Sequence, residues 1–592
     1  MIAPMTKYSF ILLSGEQEGL LEKIQELGLV DITRTAKPVD DASAHLAAEV
    51  ELLDGLIQGL KKIELPEGTQ TEAFEGDIVR LTGGLLARYT EDMEAISKKR
   101  KELESLRVWG SFNPEILHKL GEAGVSIQFH SLSKKLFQPE WADEYALSVI
   151  AEDKATTWFV VAGEDSLPGL LPTPEGDIKA LEESLREKEQ HFESVKKRIA
   201  GAKARLGELE ELRSKAYAKL DLYLAGQAAV PAAENTIVTL VGYATTENDA
   251  TVEAALQKAD VFYLKEAAKA EDNPPISLKN NWFVRQFEIL TDMYGRPDYN
   301  EFDPTPYISI FFLLFFAMCM GDAGYGLVLI IGGLLLKKTE GMKNLAPLVS
   351  ILGVGTFIVG IVMHTFFGVD IAVLPWIPSW LKSIMITGTI AGFEAQMVLA
   401  LVIGVVHLCL AMVVKTVYAT KNKGFLGSLG TWGWTLLIVG GVLVATLALF
   451  FSIPAQVTKW IVIGLGIVSA LGIFLFNDIK RNPLKNIGSG LWETYNTVTG
   501  LLGDVLSYLR LYALGLAGGM LGKAFNDIAT MTLGDGGFGW VPFVIILVIG
   551  HALNLAMCCL GAFVHPLRLN FLEFFKNSGY DGKGRIYRPI KK

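Results

Sequence analysis

The sequence predicts an α-helical polytopic membrane domain preceded by cytoplasmic α/β lobes, which are joined by a long antiparallel coiled coil. The 592-residue chain is 50% hydrophobic, but its charges are distributed unevenly. Residues 1–300 carry a formal charge of −17, and residues 301–592 carry +7. Seven apolar runs long enough to span a bilayer all fall in the second half. Heptad spacing of apolar residues occurs in two stretches of the first half.

Strand-like and helix-like segments alternate at both ends of the acidic half. The first unit comprises the strand Tyr8–Leu13, the helix Glu16–Leu27 and the strand Leu29–Thr33. The alternation recurs at Thr236–Tyr243, Asn248–Ala259 and Val261–Leu264, and other strand-like runs are Val125–Phe129, Tyr145–Ile150 and Trp158–Val161. Short β-branched and aromatic runs of this kind predict one or two small α/β lobes.

Two long helical arms are predicted, at about residues 41–106 and 176–224. Apolar residues in both arms recur at alternating three- and four-residue spacing, which favours a coiled coil. On the second arm, Lys188 and Arg213 interrupt this seam. Arms of roughly 45 residues would reach on the order of 65 Å. The alternative is a compact helical bundle. The seam residues are Leu46, Val50, Leu53, Ile57, Leu60, Leu85, Tyr89, Met93, Ile96 and Leu103 on the first arm, and Ile178, Leu181, Leu185, Phe192, Val195, Ile199, Ala202, Leu206, Leu209, Ala216 and Leu220 on the second.

The basic residues of the second half determine the predicted topology. The seven apolar runs are Tyr307–Leu336, Ala346–Phe367, Phe393–Val417, Leu429–Phe451, Gln456–Phe476, Ile487 to about Met531, and Trp540 to about Phe575. Basic clusters follow four of them: Lys337, Lys338 and Lys343; Lys415, Lys421 and Lys423; Lys480, Arg481 and Lys485; and Lys583, Arg585, Arg588, Lys591 and Lys592. All four basic clusters lie on the same side of the membrane only if Tyr307–Leu336 crosses it twice. The positive-inside rule favours this arrangement.

A break at residues 321–326 (GDAGYG) allows this double crossing, as a short or partly re-entrant hairpin buried against other helices. We therefore predict eight membrane segments, including two long C-terminal helices, with both termini cytoplasmic. The predicted domains are a cytoplasmic domain at 1–300, a membrane domain at 301–577 and a cytoplasmic tail at 578–592. The N-terminus lacks a basic region and a clear cleavage site, so no signal peptide is expected.

Two arginines lie inside the last apolar runs, Arg510 and Arg568. An arginine at mid-bilayer costs roughly 2.5–3.5 kcal/mol on insertion scales. Such a residue is retained where it faces protein, water or a counter-charge. Snorkelling to the interface is the alternative, and it is easier for Arg568 because that residue is nearer a helix end.

Other polar residues share these helices. Glu493 and Asp504 are 11 residues apart, which is about 20° from the same helical face, so they could line one polar stripe. His551 and His565 are further ionisable candidates on these helices, with hydrogen-bonded packing as their alternative role. The remaining membrane candidates are Asp322, which could instead cap a helix, and His364, Glu394, His407 and Ser507.

The same sequence excludes several classes of site. Its four cysteines lie in apolar runs without metal-ligand spacing, and no phosphate-binding GxxxxGK[ST] loop occurs. We expect no catalytic residues, cofactor or metal. An acidic first half argues against a nucleic-acid partner.

The second half resembles the a subunit, or subunit I, of the V-type and A-type rotary ATPases, in its bacterial or archaeal form. The resemblance rests on residues 287–306, 300–326, 402–408, 501–517 (LLGDVLSYLRLYALGLA) and 561–575 (GAFVHPLRLNFLEFF). It implies a non-catalytic stator subunit of the prokaryotic cell membrane, in which Arg510 and Arg568 match two membrane arginines between offset half-channels for H⁺ or Na⁺. Gly518 and Gly519 stand where some relatives carry bulkier or polar groups.

The resemblance also implies partners: a rotating proteolipid (c/K) ring, peripheral stalk subunits of the E/G type, a central-stalk ring adaptor and the lipid bilayer. Two other functions are compatible with parts of the sequence. A secondary transporter with a cytoplasmic regulatory domain would suit the midplane charges, but it predicts an internal repeat, and none is visible. A membrane tether would explain the helical arms but leaves Arg510 without a purpose.

Overall fold

The computed structural model describes residues 1–591 except 35–36, 67–70, 73–75, 111–113, 164–166, 174–177, 233–235, 340, 391, 452, 477–481 and 535–538. The predicted basic residues Lys480, Arg481 and Lys592 therefore lie outside the described residues. The chain forms two compact units. Unit 1 comprises Met1–Ile11, Leu29–Ile32 and Thr239–Pro589, and unit 2 comprises Leu12–Gly28, Thr33–Val238 and Ile590–Lys592.

The first half contains helices and strands close to the predicted positions. In chain order they are β1 (Met5–Leu13), α1 (Gln17–Leu27), β2 (Asp31–Ile32), α2 (Asp41–Lys62), α3 (Ile78–Arg107), α4 (Pro114–Glu122), β3 (Ile127–Ser133), α5 (Trp141–Glu144), β4 (Leu147–Glu152), β5 (Thr156–Ala162), β6 (Leu170–Leu171), α6 (Ile178–Ala204), α7 (Leu206–Gln227), β7 (Val230–Ala232), β8 (Ile237–Thr245), α8 (Asp249–Lys258), β9 (Tyr263–Ala267), α9 (Trp282–Arg285) and α10 (Glu288–Tyr294).

Unit 1 begins with a sheet in which two strand–helix–strand segments interlock. The strand order is β2-β8-β1-β9. Thr6 pairs with Ala267 and Asp31 with Tyr243, both in antiparallel register. The two strands of each predicted βαβ-like unit are therefore not neighbours. A strand from the other unit separates them, because this order places β8 and β1 together at the centre.

The helices of unit 2 pair in the antiparallel sense. Helix α3 packs along α6, and α2 packs along α7. Arg107 contacts Glu182 while Arg100 contacts Glu189, so residue numbers rise in one helix as they fall in the other. Most of the predicted seam residues are buried or half-buried, but Met93 is 50% exposed and does not belong to the seam.

The two interruptions of the seam each meet an aspartate of the facing helix. Lys188 Nζ lies 3.2 Å from Asp92 Oδ1, and Arg213 Nη1 lies 3.2 Å from Asp54 Oδ1. The Asp92 carboxylate is buried and also bonds to His191 Nδ1 at 2.8 Å. A charged pair inside an apolar seam is satisfied in one register only, so these pairs specify the alignment of the helices.

Between α3 and α6 the chain forms a second sheet, in the order β4-β5-β3-β6. All its neighbouring strands are antiparallel, for example His130 opposite Phe159. These two rings also stack, with centroids 5.1 Å apart, and both residues are fully buried. This sheet accounts for the three strand-like runs expected between the arms.

The second half is helical, and its apolar helices indicate a membrane protein. In chain order it contains α11 (Thr305–Met320), α12 (Ala323–Leu336), α13 (Ala346–Val362), β10 (Thr365–Phe366), β11 (Val369–Asp370), α14 (Ser379–Lys382), β12 (Thr389–Ile390), β13 (Phe393–Glu394), α15 (Ala395–Gly427), α16 (Leu429–Thr435), α17 (Gly441–Phe451), α18 (Ala455–Ala470), α19 (Pro483–Ser507), α20 (Leu509–Met531), α21 (Trp540–Arg568) and α22 (Phe575–Ser578). Three π-helical segments lie at Leu436–Gly440, Leu471–Leu475 and Leu569–Phe574.

Five helical stretches of the described chain are long and apolar enough to cross a membrane, and three more are apolar but shorter. The five are Ala395–Gly427, Leu429–Phe451, Ala455–Leu475, Leu484–Met531 and Trp540–Ser578. The three shorter helices are α11, α12 and α13. The predicted run Ala346–Phe367 is too long, since its helix ends at Val362 and the chain then turns through β10 and β11.

The first apolar run breaks where the sequence indicated. Gly321 ends α11 at φ +60°, and Asp322 caps α12. The packing differs from the predicted hairpin, because the antiparallel partner of α12 is α13 rather than α11. A Cβ built on Gly326 would lie 2.5 Å from the backbone of Phe357, which shows how closely these two helices approach.

The Asp322 carboxylate is buried and serves as a helix cap, one of the two roles the sequence allowed. Oδ1 accepts the backbone N–H groups of Gly324, Tyr325 and Phe367, and Oδ2 accepts that of Gly368. The carboxylate thus satisfies the first turn of α12 and holds the turn between β10 and β11. Four donors around one carboxylate explain a buried charge without invoking transport.

We predict that Asp322→Ala lowers stability by about 2–4 kcal/mol, because it leaves four buried N–H groups without their charged acceptor. A fall in the thermal denaturation temperature of the purified protein measures this. The exposed Asp527→Ala, on α20, is the matched control and should leave the temperature unchanged. Unchanged stability of Asp322→Ala would contradict the capping role.

A second prediction concerns Asp92. Burial raises the pKa of its carboxyl, but the bonds from His191 and Lys188 outweigh burial and leave that pKa below its usual value. A depressed pKa means that the carboxylate stabilises the fold above about pH 4 and that this contribution is lost on further acidification. Asp92→Asn should therefore destabilise α3 and α6 by about 1–2 kcal/mol at pH 7 but much less at pH 3.

Hydrogen exchange of the α3 and α6 amides at the two pH values measures this effect. Glu94→Gln, at an exposed position two residues further along α3, provides the control and should behave like the wild type. Equal effects of Asp92→Asn at both pH values would show that the side chain contributes through shape rather than charge.

Candidate functional site

Arg510 lies at a joint between two membrane helices. It is the second residue of α20, and only Tyr508 separates that helix from α19. At this joint Tyr508 N bonds to Val505 O and Leu511 N to Tyr508 O, both at 3.1 Å, so the backbone is locally tightened. The Tyr508 side chain is fully buried, and its hydroxyl lies 2.9 Å from His407 Nδ1. A packed tyrosine therefore fixes the backbone two residues before the arginine.

The Arg510 guanidinium has no acid of its own. Its Nη1 atom is buried and has no hydrogen-bond partner. Within the described residues no carboxylate lies at ion-pair distance from it. Its electrostatic neighbours include Cys319 of α11 and His565 of α21. Since arginine is effectively always protonated, this arrangement holds a permanent positive charge whose counter-charge is not provided locally.

Arg568 stands on the neighbouring helix and is exposed on the surface of the chain. It is the last residue of α21, directly before the π-helical segment Leu569–Phe574. His565 lies where both arginines act on it electrostatically, and its Nδ1 atom is buried without a partner. The fold therefore brings together three of the predicted residues, Arg510, Arg568 and His565.

Glu573 belongs to this cluster, although the sequence did not single it out. It is only 4% exposed, and its Oε2 atom has no partner. Ser507, Asp504 and Arg568 all act on its carboxyl electrostatically. Glu573 follows Arg568 by five positions, a spacing that puts the two side chains on different faces of a regular α-helix. The wider π-helical turn between them changes that geometry.

An inner cavity of about 230 Å³ opens beside α19. Glu493 and Asp504 both line it, so the stripe predicted from their spacing faces one space. Asp504 accepts a 2.8 Å hydrogen bond from Asn577 Nδ2 and lies 3.3 Å from Lys576 Nζ. The opposite wall carries the threonine hydroxyls of Thr416, Thr431 and Thr435. Such a lining of hydroxyl, amide and carboxylate groups is suited to water and small cations.

An outer cavity of about 550 Å³ lies further along α20. Glu394, His364 and Asp370 line it, as do Gly515 and Gly519 of α20. Among its lining residues, the His364 and Asp370 side chains pair at 3.0 Å. The Tyr512 hydroxyl donates a short hydrogen bond to Glu394. Glu394 thus joins the outer cavity to Tyr512, in the first turn of α20.

The remaining candidates lie in packing networks. His551 is bonded on both ring nitrogens, with Tyr325 Oη at 2.8 Å and Asn526 Oδ1 at 3.0 Å. His407 is fully buried and stacks on Phe574 with ring centroids 4.7 Å apart. These contacts agree with the packing alternative considered for lone histidines. The fold does not bring either residue into the arginine cluster.

Known proteins share this organisation at the level of sequence. The model of the V-type ATPase 116kDa subunit family matches residues 164–363. V-type ATP synthase subunit I 1 of Treponema pallidum (strain Nichols) is 25% identical, over 100% of both chains. A-type ATP synthase subunit I of Methanocaldococcus jannaschii is 28% identical, over 95% of this chain and 82% of the relative.

V-type ATP synthase subunit I of Borreliella burgdorferi is 26% identical over the full length of both chains. A solved structure of the cytoplasmic N-terminal domain of subunit I, homolog of subunit a, of V-ATPase covers 45% of this chain and 100% of that one, with 14% identity. Its TM-score of 0.24 is too low to establish a shared fold. The long sequence matches and the family model thus make this membrane protein similar to the V-type ATPase 116kDa subunit family and to relatives named subunit I.

Proposed function

We propose that the chain is the membrane stator subunit of a rotary V/A-type ATPase and forms two ion half-channels against a rotating ring. One observation carries this proposal: Arg510 has a buried Nη1 atom without a partner and pairs with no acid among the described residues, on a helical stretch that has a polar cavity on either side of it along the chain. The names of the full-length relatives, subunit I of V-type and A-type ATP synthases, support the same complex. ATP hydrolysis or synthesis would take place on other subunits.

A fixed guanidinium acts on a passing carboxylate in a defined way. A ring carboxylate that approaches Arg510 is stabilised in its ionised form, so it releases its H⁺ or Na⁺ there. The carboxylate then reloads from the other half-channel before it returns to lipid as a neutral group. The same positive charge repels cations that would pass directly between the half-channels. Moving one elementary charge across 100 mV changes its free energy by about 2.3 kcal/mol. A leak of ions at this point would therefore dissipate the free energy of the ion gradient.

The two cavities are offset along α19 and α20 in the manner that this mechanism needs. Asp504 lines the inner cavity and Gly515 lines the outer one. Eleven residues of helix separate them, which corresponds to roughly 16 Å. Arg510 lies about midway along this stretch of helix, where its charge would separate the two cavities. We assign Glu493, Asp504 and Glu573 to the inner half-channel and Glu394 to the outer one.

We further propose eight membrane segments with both termini in the cytoplasm. The chain enters its first apolar helix beside the point where it leaves the last one. Tyr580 Oη bonds to Gly295 O at 2.7 Å, and Gly584 N bonds to Arg296 O at 2.8 Å. Entry and exit on one side require an even number of crossings. With seven apolar runs, the double passage of α11 and α12 gives this parity, and the basic loops place that side in the cytoplasm.

The helix pairs of unit 2 suit a stator. The antiparallel pairs α2–α7 and α3–α6 would form a coiled-coil strut. Such a strut would bend little under the torque that the rotating ring exerts. Peripheral stalk subunits of the E/G type are its proposed partners, and the ring and its central-stalk adaptor are the moving parts nearby. The complex would lie in a prokaryotic cell membrane.

We predict that Arg510→Ala and Arg510→Lys both reduce ATP-driven ion uptake by more than about tenfold while the complex still assembles. Alanine removes the charge, and a lysine in this position loses its charge more readily on burial. Uptake into vesicles that contain the reconstituted complex, measured with and without sodium, tests this. Arg285→Ala, at an exposed site in α9, is the control.

Near-normal uptake by Arg510→Ala would refute the proposed role of the arginine. The alternative of a secondary transporter makes a separate prediction, because it requires the purified chain alone to transport its substrate. On our proposal the chain migrates within a large ATPase complex in native electrophoresis and transports nothing by itself.

A further prediction distinguishes the acidic residues assigned to the inner half-channel from acidic residues exposed on the surface. Glu573→Gln and Asp504→Asn should each slow coupled uptake by about tenfold, because each removes an ionisable group from the inner path. The exposed Asp527→Asn changes the same kind of charge on α20 and should have no effect. Assembly is checked in parallel by native electrophoresis. If both inner variants pump at the wild-type rate, the cavity beside α19 is not the ion path.

A further inference from the structure

The segment between α13 and α15 is apolar but forms no membrane-spanning helix. Residues 371–393 contain one charged residue, Lys382, and two tryptophans, Trp376 and Trp380. The longest regular element among the described residues of this segment is the four-residue helix α14. Neither the arginine cluster nor either half-channel accounts for this composition. In a water-exposed loop, such a composition would leave a large apolar area in contact with solvent.

The apolar side chains of this segment point away from the protein. Trp376 is 73% exposed, Trp380 66% and Val373 77%. Ile384 and Phe393 are also more than half exposed. Two residues face inward instead, because Ile371 and Met385 are buried. The segment therefore has one face anchored on the protein and one unpartnered apolar face rich in tryptophan.

Backbone hydrogen bonds fix the depth of this segment. Ile371 N bonds to His364 O at 2.8 Å, and Ile386 N bonds to Val362 O at 2.9 Å. Val362 is the last residue of α13. Ala395, the first residue of α15, bonds through its N–H to Gly388 O at 3.1 Å. The segment is thus attached at the level where two apolar membrane helices end, which is the membrane–water interface.

We infer that the face formed by Val373, Trp376, Trp380 and Ile384 is a membrane-surface anchor that inserts into the headgroup boundary of the bilayer. The adjoining helices α13 and α15 also carry exposed apolar side chains, among them Ile358 and Val402. Tryptophan suits that depth, because its ring is apolar while its indole N–H can bond to headgroups or water. Lys382 is the one charge of the segment and can extend its ammonium toward lipid phosphates.

This anchor would serve the neighbouring outer cavity. Ile386, Thr387 and Gly388 of the same segment line that cavity. A segment held at headgroup level keeps the cavity mouth open to water rather than to acyl chains. The inference itself requires only that α13 and α15 lie in a bilayer, so it stands or falls independently of the half-channel proposal.

Tryptophan fluorescence in bromolipid vesicles tests the inference. The intact complex is reconstituted in phosphatidylcholine vesicles with bromines at the 6,7 or the 11,12 acyl positions. The chain has 11 tryptophans, so the signal of interest is the wild-type emission minus that of Trp376→Phe/Trp380→Phe. Phenylalanine keeps the face apolar, so the variant should fold. Trp282→Phe, which removes an exposed tryptophan before the first membrane helix, gives the control difference.

We expect the fluorescence difference due to Trp376 and Trp380 to fall about twofold with bromines at the 6,7 acyl positions, and less with bromines at the 11,12 positions. This is the pattern of an indole ring at the level of the headgroups. Aqueous iodide should quench it little, while the Trp282 difference should show the reverse pattern. Quenching by iodide but not by bromolipid would place the segment in water and overturn the inference. Quenching by neither would mean that another protein surface covers it, which also overturns the inference.

Discussion

The need to stabilise one permanent cation inside an apolar helical domain shapes the whole membrane half of this chain. A guanidinium cannot lose its charge to escape burial, as a lysine or a carboxyl group can. Among the described residues, no acid nevertheless pairs with Arg510. Its electrostatic neighbours are the His565 imidazole and the Cys319 thiol. The polar cavities that include Asp504 and Gly515 lie before and after it along the chain.

The helices near the cluster depart from regular α geometry where polar groups gather. Tyr508 interrupts the long helical stretch two residues before Arg510, and a π-helical segment follows Arg568 directly. The π-helical turn brings Glu573 inside, next to Ser507. In lipid, the freed backbone groups of such irregularities must be satisfied within the protein, so they occur where neighbouring helices supply partners. The irregularities and the polar side chains therefore support one another.

Charges in the first half serve alignment. Lys188 and Arg213 interrupt the apolar seam of the second arm, and each finds an aspartate on the facing helix. An apolar seam alone tolerates shifts by a heptad, whereas these pairs do not. In the membrane half, Asp322 has a comparable structural role, because its carboxylate fixes a helix start and a turn together.

Composition and periodicity were sufficient to predict a first half that contains sheets, an apolar helical second half and the positions of most helices. These features follow from the spacing of hydrophobic residues within a single segment. That spacing can be read directly from the sequence. Only the tertiary structure decided which helix partners which: α12 packs on α13 rather than α11, Asp322 and His551 belong to packing networks, and Glu573 joins the arginine cluster. Those outcomes depend on contacts between residues that are far apart in the chain, and on one π-helical turn that alters the facing of a side chain. Neither is encoded in local spacing.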